Sequence, residues 1–364
     1  MADPSSAAVI ASTAAAVAPL DDGARAEARG RQARLTKPPG SLGRLETLAE
    51  ELAAMTGQAR PRLDQRLIVV AAGDHGVAAR GVSAYPSEVT AQMVANFLGG
   101  GAAISVLADH AGARLRIVDA GVRGETPDDS RLLRLRLGPG TDDITERPAM
   151  TRVLAEQAIA AGIALIEEER ARGLHLLGLG EMGIGNSTSA AAIVARVTGR
   201  PARAVTGRGT GIDDARFAIK VQAVERALAL HQVDASDGVG VLAALGGFEV
   251  GVLAGAYLGA AAARVPAVLD GLISGAAALI ACAIEPRVRD YLVASHLGVE
   301  PGHAATLDHL GLRPVLDLGL RLGEGSGAAL AMTVCVAACR LLDEMATFED
   351  AGVSTSDAAV ANEG

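Results

Sequence analysis

The 364-residue chain has almost no aromatic side chains. Phe, Tyr and Trp make up 2% of it and Trp is absent, so the core must be packed from Ala, Leu, Val and Ile. It has no surplus of positive charge either. Against 42 Asp and Glu stand 33 Lys and Arg, a net charge of −9, with the arginines scattered. That excludes the clustered cationic surface a nucleic-acid backbone requires. Only three cysteines are present, Cys282, Cys335 and Cys339, all in apolar sequence. An odd count without metal-ligand spacing gives no disulfide framework and fits a reducing cytoplasm. Cys335 and Cys339 share a helix face and read as small buried hydrophobes. Asp3 stands where a signal peptide would carry basic residues. An uninterrupted apolar run of roughly 20 residues, the length of a membrane span, is missing too. The longest apolar region, Val239 to Cys282, is broken by Glu249, Arg264, Pro266 and Asp270. It reads as buried helices and strands, with no membrane partner expected.

What the chain does have is apolar sequence, 50% of it, and 44 glycines. Its length allows one large domain or two. Residues 1–60 look helical, with Ser41 a candidate N-cap after the rigid Lys37-Pro38-Pro39-Gly40 turn. Continuous apolar runs then alternate with helical stretches. Arg66 to Val77, Arg114 to Val122, Leu174 onward, Ala267 to Gly271, Tyr291 to His296 and Leu316 to Leu322 are strand candidates covered on both faces. Helices are expected after Ser87, from Met150 to Arg172 with Glu167, Glu168 and Glu169 on a solvated face, after Asp213, and from Ala328 to Leu342. The alternation predicts an α/β fold with a mainly parallel sheet, its polar turns gathered at the carboxyl edge. The expected division is a helical domain at 1–60 joined by part of 328–350, a catalytic α/β domain at 61–327, and a flexible tail at 352–364.

The densest signal is Leu174 to Ala192: an apolar run, then Gly178-Leu179-Gly180-Glu181-Met182-Gly183-Ile184-Gly185, then Asn186-Ser187-Thr188-Ser189 before an Ala-rich helix. Strand, glycine turn and capped helix aim backbone N–H groups at a phosphate. Gly178-x-Gly180-x-x-Gly183 also fits the dinucleotide fingerprint. That fingerprint calls for an acid about 20 residues on, and Arg196 to Thr210 holds none. A carboxylate at Glu181 would also repel a pyrophosphate. A cradle for one phosphate, between Gly183 and Thr188, fits better. Asp142-Asp143 reads as a solvated loop rather than the acidic pair of diphosphate-using transferases. Asp74-His75, and His296, His303 and His309, lack metal-site numbers or spacing, so no metal and no cofactor is expected. Gly323-Glu324-Gly325-Ser326-Gly327 places a glutamate between glycines, lifted out of packing toward a cleft and before a helix start. It can cap that helix, accept a proton, or do both.

Six stretches, taken together and in order, resemble one family: Lys37 to Glu46, Ala72 to Val77, Gly180 to Thr188, Leu245 to Glu249, Ser295 to Gly298 with Glu300 to His303, and Leu320 to Ala329. The chain is similar to nicotinate-nucleotide:dimethylbenzimidazole phosphoribosyltransferases. The resemblance implies transfer of phosphoribose from nicotinate mononucleotide to 5,6-dimethylbenzimidazole. It implies a Rossmann-like parallel sheet, a small helical domain from both chain ends, and a homodimer. It assigns Glu324 as general base and Glu181 to the ribose side. Gly183, Ile184, Gly185, Asn186, Ser187, Thr188 and Lys220 are assigned to the nucleotide phosphate. Leu322, with Ser83, Tyr85, Gln92 and Met93 from the segment 81–93, is assigned to the base. A nicotinamide-dependent oxidoreductase and a non-catalytic nucleotide-binding protein are the competing readings.

Overall fold

The computed structural model describes residues 5–354. The tail expected at 352–364 falls largely outside them. In chain order the elements are α1 (Ser6–Ala16), α2 (Asp22–Gln32), α3 (Arg44–Thr56), β1 (Arg66–Gly73), α4 (Glu88–Gly99), α5 (Ala103–His110), β2 (Arg114–Gly121) and β3 (Leu132–Arg134). There follow α6 (Arg152–Ala171), β4 (Leu176–Met182), α7 (Asn186–Thr198), α8 (Ala202–Val205), α9 (Asp214–Leu230), α10 (Gly238–Leu245), α11 (Phe248–Ala262) and β5 (Ala267–Leu269). The chain ends with α12 (Leu272–Ile284), β6 (Leu292–Ala294), α13 (Pro301–Leu310), α14 (Ser326–Glu344) and α15 (Phe348–Ala351).

The chain divides into two compact units, one formed by residues 1–18 and 65–332, the other by 19–64 and 333–364. The larger unit is built on a six-stranded sheet in the order β3-β2-β1-β4-β5-β6, with every pairing parallel. Each central strand is an apolar run buried on both faces: in β1, residues 67–73 are all buried. Order reverses between β1 and β4, and in such sheets ligands bind outside the carboxyl ends of the strands at that switch point. Helix α1 packs on α6 and α11 in this unit, not with the N-terminal helices expected to hold it. Its Ala-rich surface is small enough to lie close against them.

In the smaller unit, Arg31 ties the N-terminal segment to the C-terminal one. Its guanidinium donates to the carbonyls of Leu342 (2.6 Å), Asp343 (3.0 Å) and Met345 (3.0 Å), and Leu35 bridges to Thr347. Lys37 reaches Glu46 at 2.8 Å, an ion pair almost entirely out of water, across the Pro38-Pro39-Gly40 turn. The helix after this turn begins at Arg44 behind Gly43, so Ser41 is not its cap.

Three further expectations are corrected. Glu169 is not solvated: it is buried and held by Arg114 (2.6 Å) and Arg172 (2.9 Å). Leu316 to Leu322 is not a strand. Only Leu316 bridges, to His296, and Leu318 and Leu322 are exposed. The short strand β3 is an element the apolar pattern did not predict. By length and composition, Glu88–His110 and Ser326–Glu344 could each cross a membrane. The first is two helices broken at Gly100–Ala102, and more than half of the second is buried in the protein.

Candidate active site

The carboxyl ends of β1, β4, β5 and β6 each deliver ionisable side chains to one edge: Asp74 and His75, Glu181, Asp270, and His296. All are buried. Strand β4 runs on through Gly178 and Gly180 to Met182, so these glycines are not a pyrophosphate turn. They form a groove under helix α14. A Cβ at Gly178 would press on Met332 at 2.9 Å, and one at Gly180 would overlap the backbone of Glu324 and Gly325. The dinucleotide fingerprint is therefore a packing feature here.

That close approach places Glu324 over the strand. Glu324 has φ +62, between Gly323 at +84 and Gly325 at +89. A side-chain-bearing residue held in this left-handed region costs about 1–3 kcal/mol and persists where its surroundings over-determine it, a hallmark of functional sites. The anchor is Asp270. Its carboxylate accepts from the N–H of Gly325 (3.1 Å) and of Ala328 (3.0 Å), at the start of α14. Glu324 is buried, and its Oε2 has no hydrogen-bond partner. Burial raises its pKa above the usual glutamate range, against a smaller lowering by the Ile104 backbone.

Glu181 lies against the turn that carries Glu324. A Cβ at Gly323 would lie 2.5 Å from Glu181 Oε1. Glu181 accepts from the Asn186 side-chain amide. Its pKa is pushed up to about 8, by burial first and then by Asp270, Glu249 and Glu324. Asp270 is pushed up to about 7 by burial, the α14 amides pulling the other way. Glu249 is buried and bonds His75 Nε2 at 2.6 Å. Five buried acids, Asp74, Glu181, Glu249, Asp270 and Glu324, thus share one edge, an arrangement suited to a ligand that brings or develops positive charge.

The second predicted cluster also assembles. Helix α7 starts at Asn186 behind Gly185, at φ +96. Lys220, buried on α9, donates to Ser187 Oγ at 3.0 Å, and Asp213 caps α9 as expected by accepting from the Arg216 N–H. Burial lowers the Lys220 pKa to about 8, with Glu300 opposing. Asp74 holds the loop from below. It accepts from Thr90 Oγ1 (2.8 Å), which accepts in turn from the Ile184 N–H (3.1 Å). Thr188 is buried with an unpartnered hydroxyl. An ammonium, hydroxyls and a helix N-terminus converge here as an anion site requires.

The expected base-binding residues are more dispersed. Ala84, between Ser83 and Tyr85, donates to Thr210 Oγ1 at 3.2 Å. Tyr85, Gln92 and Leu322 are exposed and Met93 half-buried. Among the described residues no hydrogen bond joins Ser83, Tyr85, Gln92 or Met93 to Glu324, and no three His, Cys, Asp or Glu side chains gather as metal ligands. Sequence reasoning missed Asp270, Glu249 and Glu300 as site residues. The available signal was an acid interrupting a long apolar run, which describes the first two.

The sheet order and the anion cradle define an α/β protein that handles a nucleotide phosphate. The family model described as "Phosphoribosyltransferase" matches residues 17–353. Nicotinate-nucleotide–dimethylbenzimidazole phosphoribosyltransferases from Roseiflexus sp. strain RS-1 and Chloroflexus aggregans are 56% and 57% identical over 346 and 338 residues. The matches cover 95% and 93% of this chain, and 98% and 96% of theirs. The solved enzyme of that name from Thermus thermophilus superposes with a TM-score of 0.87 at 48% identity, covering 93% of this chain and all of its own. The chain belongs to the nicotinate-nucleotide–dimethylbenzimidazole phosphoribosyltransferase family.

Proposed function

We propose that the chain transfers the phosphoribosyl group of nicotinate mononucleotide to 5,6-dimethylbenzimidazole, giving α-ribazole 5′-phosphate and nicotinate, with Glu324 as general base. The observation that carries this reading is the buried, left-handed Glu324 with its unpartnered Oε2, set beside Glu181. In the substrate, nicotinate is bonded to C1′ as a pyridinium. When that bond breaks its electron pair returns to the ring nitrogen, so nicotinate leaves with a neutral ring and needs no acid. The incoming benzimidazole nitrogen gains positive charge as it bonds C1′. Transfer of its other N–H proton to Glu324 removes that charge, which is general-base work. Attack from the face opposite nicotinate turns a β-nucleotide into an α-product.

The surroundings of the two glutamates support a division of labour. Glu181, at about 8, holds its proton near neutrality and offers a donor to the ribose. Glu324, raised by burial alone, keeps an unpartnered Oε2 free to accept the proton. Lys220, Ser187 and the α7 start take the 5′-phosphate. Leu322, Ser83, Tyr85, Gln92 and Met93 border the benzimidazole. A homodimer is supported by the apolar exposure of Tyr85, Val106 and Leu318, and a cytoplasmic setting by three unpaired cysteines. The two-unit division is read as the small helical domain and the catalytic domain.

Incubation with nicotinate mononucleotide and a panel of benzimidazoles and purines, with products identified by mass, tests the reaction. A product heavier than the base by one phosphoribosyl group is expected; nicotinate release by water alone would sink the transferase reading. Lys220→Ala should raise KM for the mononucleotide. A lost hydrogen bond to a charged group costs about 1.5–3 kcal/mol, or roughly tenfold to a hundredfold. Its kcat should be little changed. A lowered kcat with unchanged affinity would remove Lys220 from the phosphate site.

A further inference from the structure

The anion cradle contains an acid that the reaction does not use. Glu300 stands at the N-cap position of α13 but makes no side-chain capping bond to that helix. Its carboxylate turns instead into the loop Gly207 to Gly211. Oε1 accepts the Gly209 N–H at 2.9 Å, and Oε2 is buried without a partner. The loop is shaped to admit it, since a Cβ at Gly207 would overlap the carboxylate. At Gly209 a Cβ would lie 3.0 Å from Ser187 Oγ and 3.1 Å from Lys220 Nζ. The Glu300 charge also acts on the Lys220 ammonium. A carboxylate, the Gly209 amide, the Ser187 hydroxyl and the Lys220 ammonium therefore share one small volume.

An anion cradle with a built-in anion is an odd phosphate receptor. Two like charges a few ångströms apart in a partly buried site repel strongly, and the carboxylate already satisfies part of the cradle.

We propose that Glu300 is a specificity-determining residue that occupies the cradle as an internal anion, so that free inorganic phosphate binds poorly while a nucleotide phosphate displaces it. This rests on the phosphate role of Lys220 and Ser187. A mononucleotide carries further binding energy from its ribose and its pyridinium, the latter toward the acids of the sheet edge. Inorganic phosphate has no such contribution and cannot offset the displacement of Glu300. The device lowers nucleotide affinity somewhat in exchange for discrimination, the repulsive element that specific sites use.

The test is titration of the purified enzyme with inorganic phosphate, both as inhibitor against the mononucleotide and by direct calorimetry. Glu300→Gln is isosteric and keeps an oxygen for the Gly209 N–H while removing the charge. It should bind inorganic phosphate at least tenfold more tightly than the wild type and show a lower KM for the mononucleotide. If Glu300 is only a tether for the loop, Glu300→Gln will bind phosphate no better than the wild type, and the proposal is overturned. Gly207→Ala gives an independent route, because its methyl group pushes the carboxylate out of the cradle without removing the charge from the chain. It too should tighten phosphate binding, and unchanged or weaker binding in both variants counts against Glu300. Lys220→Ala separates the two levels. If it leaves mononucleotide binding unchanged, the cradle itself is misplaced. If it weakens binding while Glu300→Gln gains nothing, only the role of Glu300 falls.

Discussion

Glu324→Gln should lose about 10²–10⁴-fold in turnover, the usual contribution of a positioned proton acceptor, while mononucleotide binding survives. Glutamine preserves the shape that Gly323 and Gly325 hold but cannot accept the benzimidazole proton. Binding should persist because the phosphate contacts lie on α7 and α9, away from the turn. The same substitution bears on pH. Burial raises the Glu324 pKa, so wild-type turnover should fall as pH drops through a limb above the ordinary glutamate range, where the carboxylate takes up its proton. That limb should vanish in Glu324→Gln. Rapid-quench turnover across pH, with mononucleotide affinity measured alongside, checks both. A variant turning over at the wild-type rate would end the general-base assignment.

Gly180→Ala should lower turnover roughly a hundredfold although residue 180 carries no reactive group. The added methyl overlaps the Glu324 carbonyl and the Gly325 nitrogen. The turn must therefore lift away from β4, stretching the Asp270 bonds to Gly325 and Ala328. A displacement near 1 Å at a reacting group can cost about 10²-fold in rate. The expected signature is a loss in kcat with mononucleotide affinity retained, plus a lower melting temperature. Unchanged kcat with an unchanged melting point would mean that the strand does not set the position of the base.

How much of this was legible depended on how local the determinants were. Asp213 was readable as a cap because a cap bond spans three residues. The Gly180 to Thr188 motif was readable as a strand end, a glycine turn and a helix start for the same reason. The glycines at 178 and 180 misled, because their reason for being small lies far along the chain, on α14 and the turn before it. Glu169 looked solvated beside Glu167 and Glu168, since its partner Arg114 belongs to a neighbouring strand. Leu316 to Leu322 carried an apolar pattern without a sheet position to occupy, and only Leu316 forms a β-bridge. Asp270 shows the same limit. As one acid in a long apolar run it looked like an interruption, and only the fold reveals that it holds the turn carrying Glu324.

The smaller unit is assembled from residues 19–64 and 333 onward, with Arg31 closing on the carbonyls of Leu342, Asp343 and Met345. During synthesis its first half, α2 packed on α3, leaves the ribosome long before the C-terminal segment that Arg31 closes on. Domains normally fold as they emerge, but these helices must wait. Their apolar faces are exposed to chaperones and proteases throughout that interval. A translation arrest before residue 333 would thus yield a sheet able to form beside an orphaned pair of helices, and quality control would meet this protein first at its beginning.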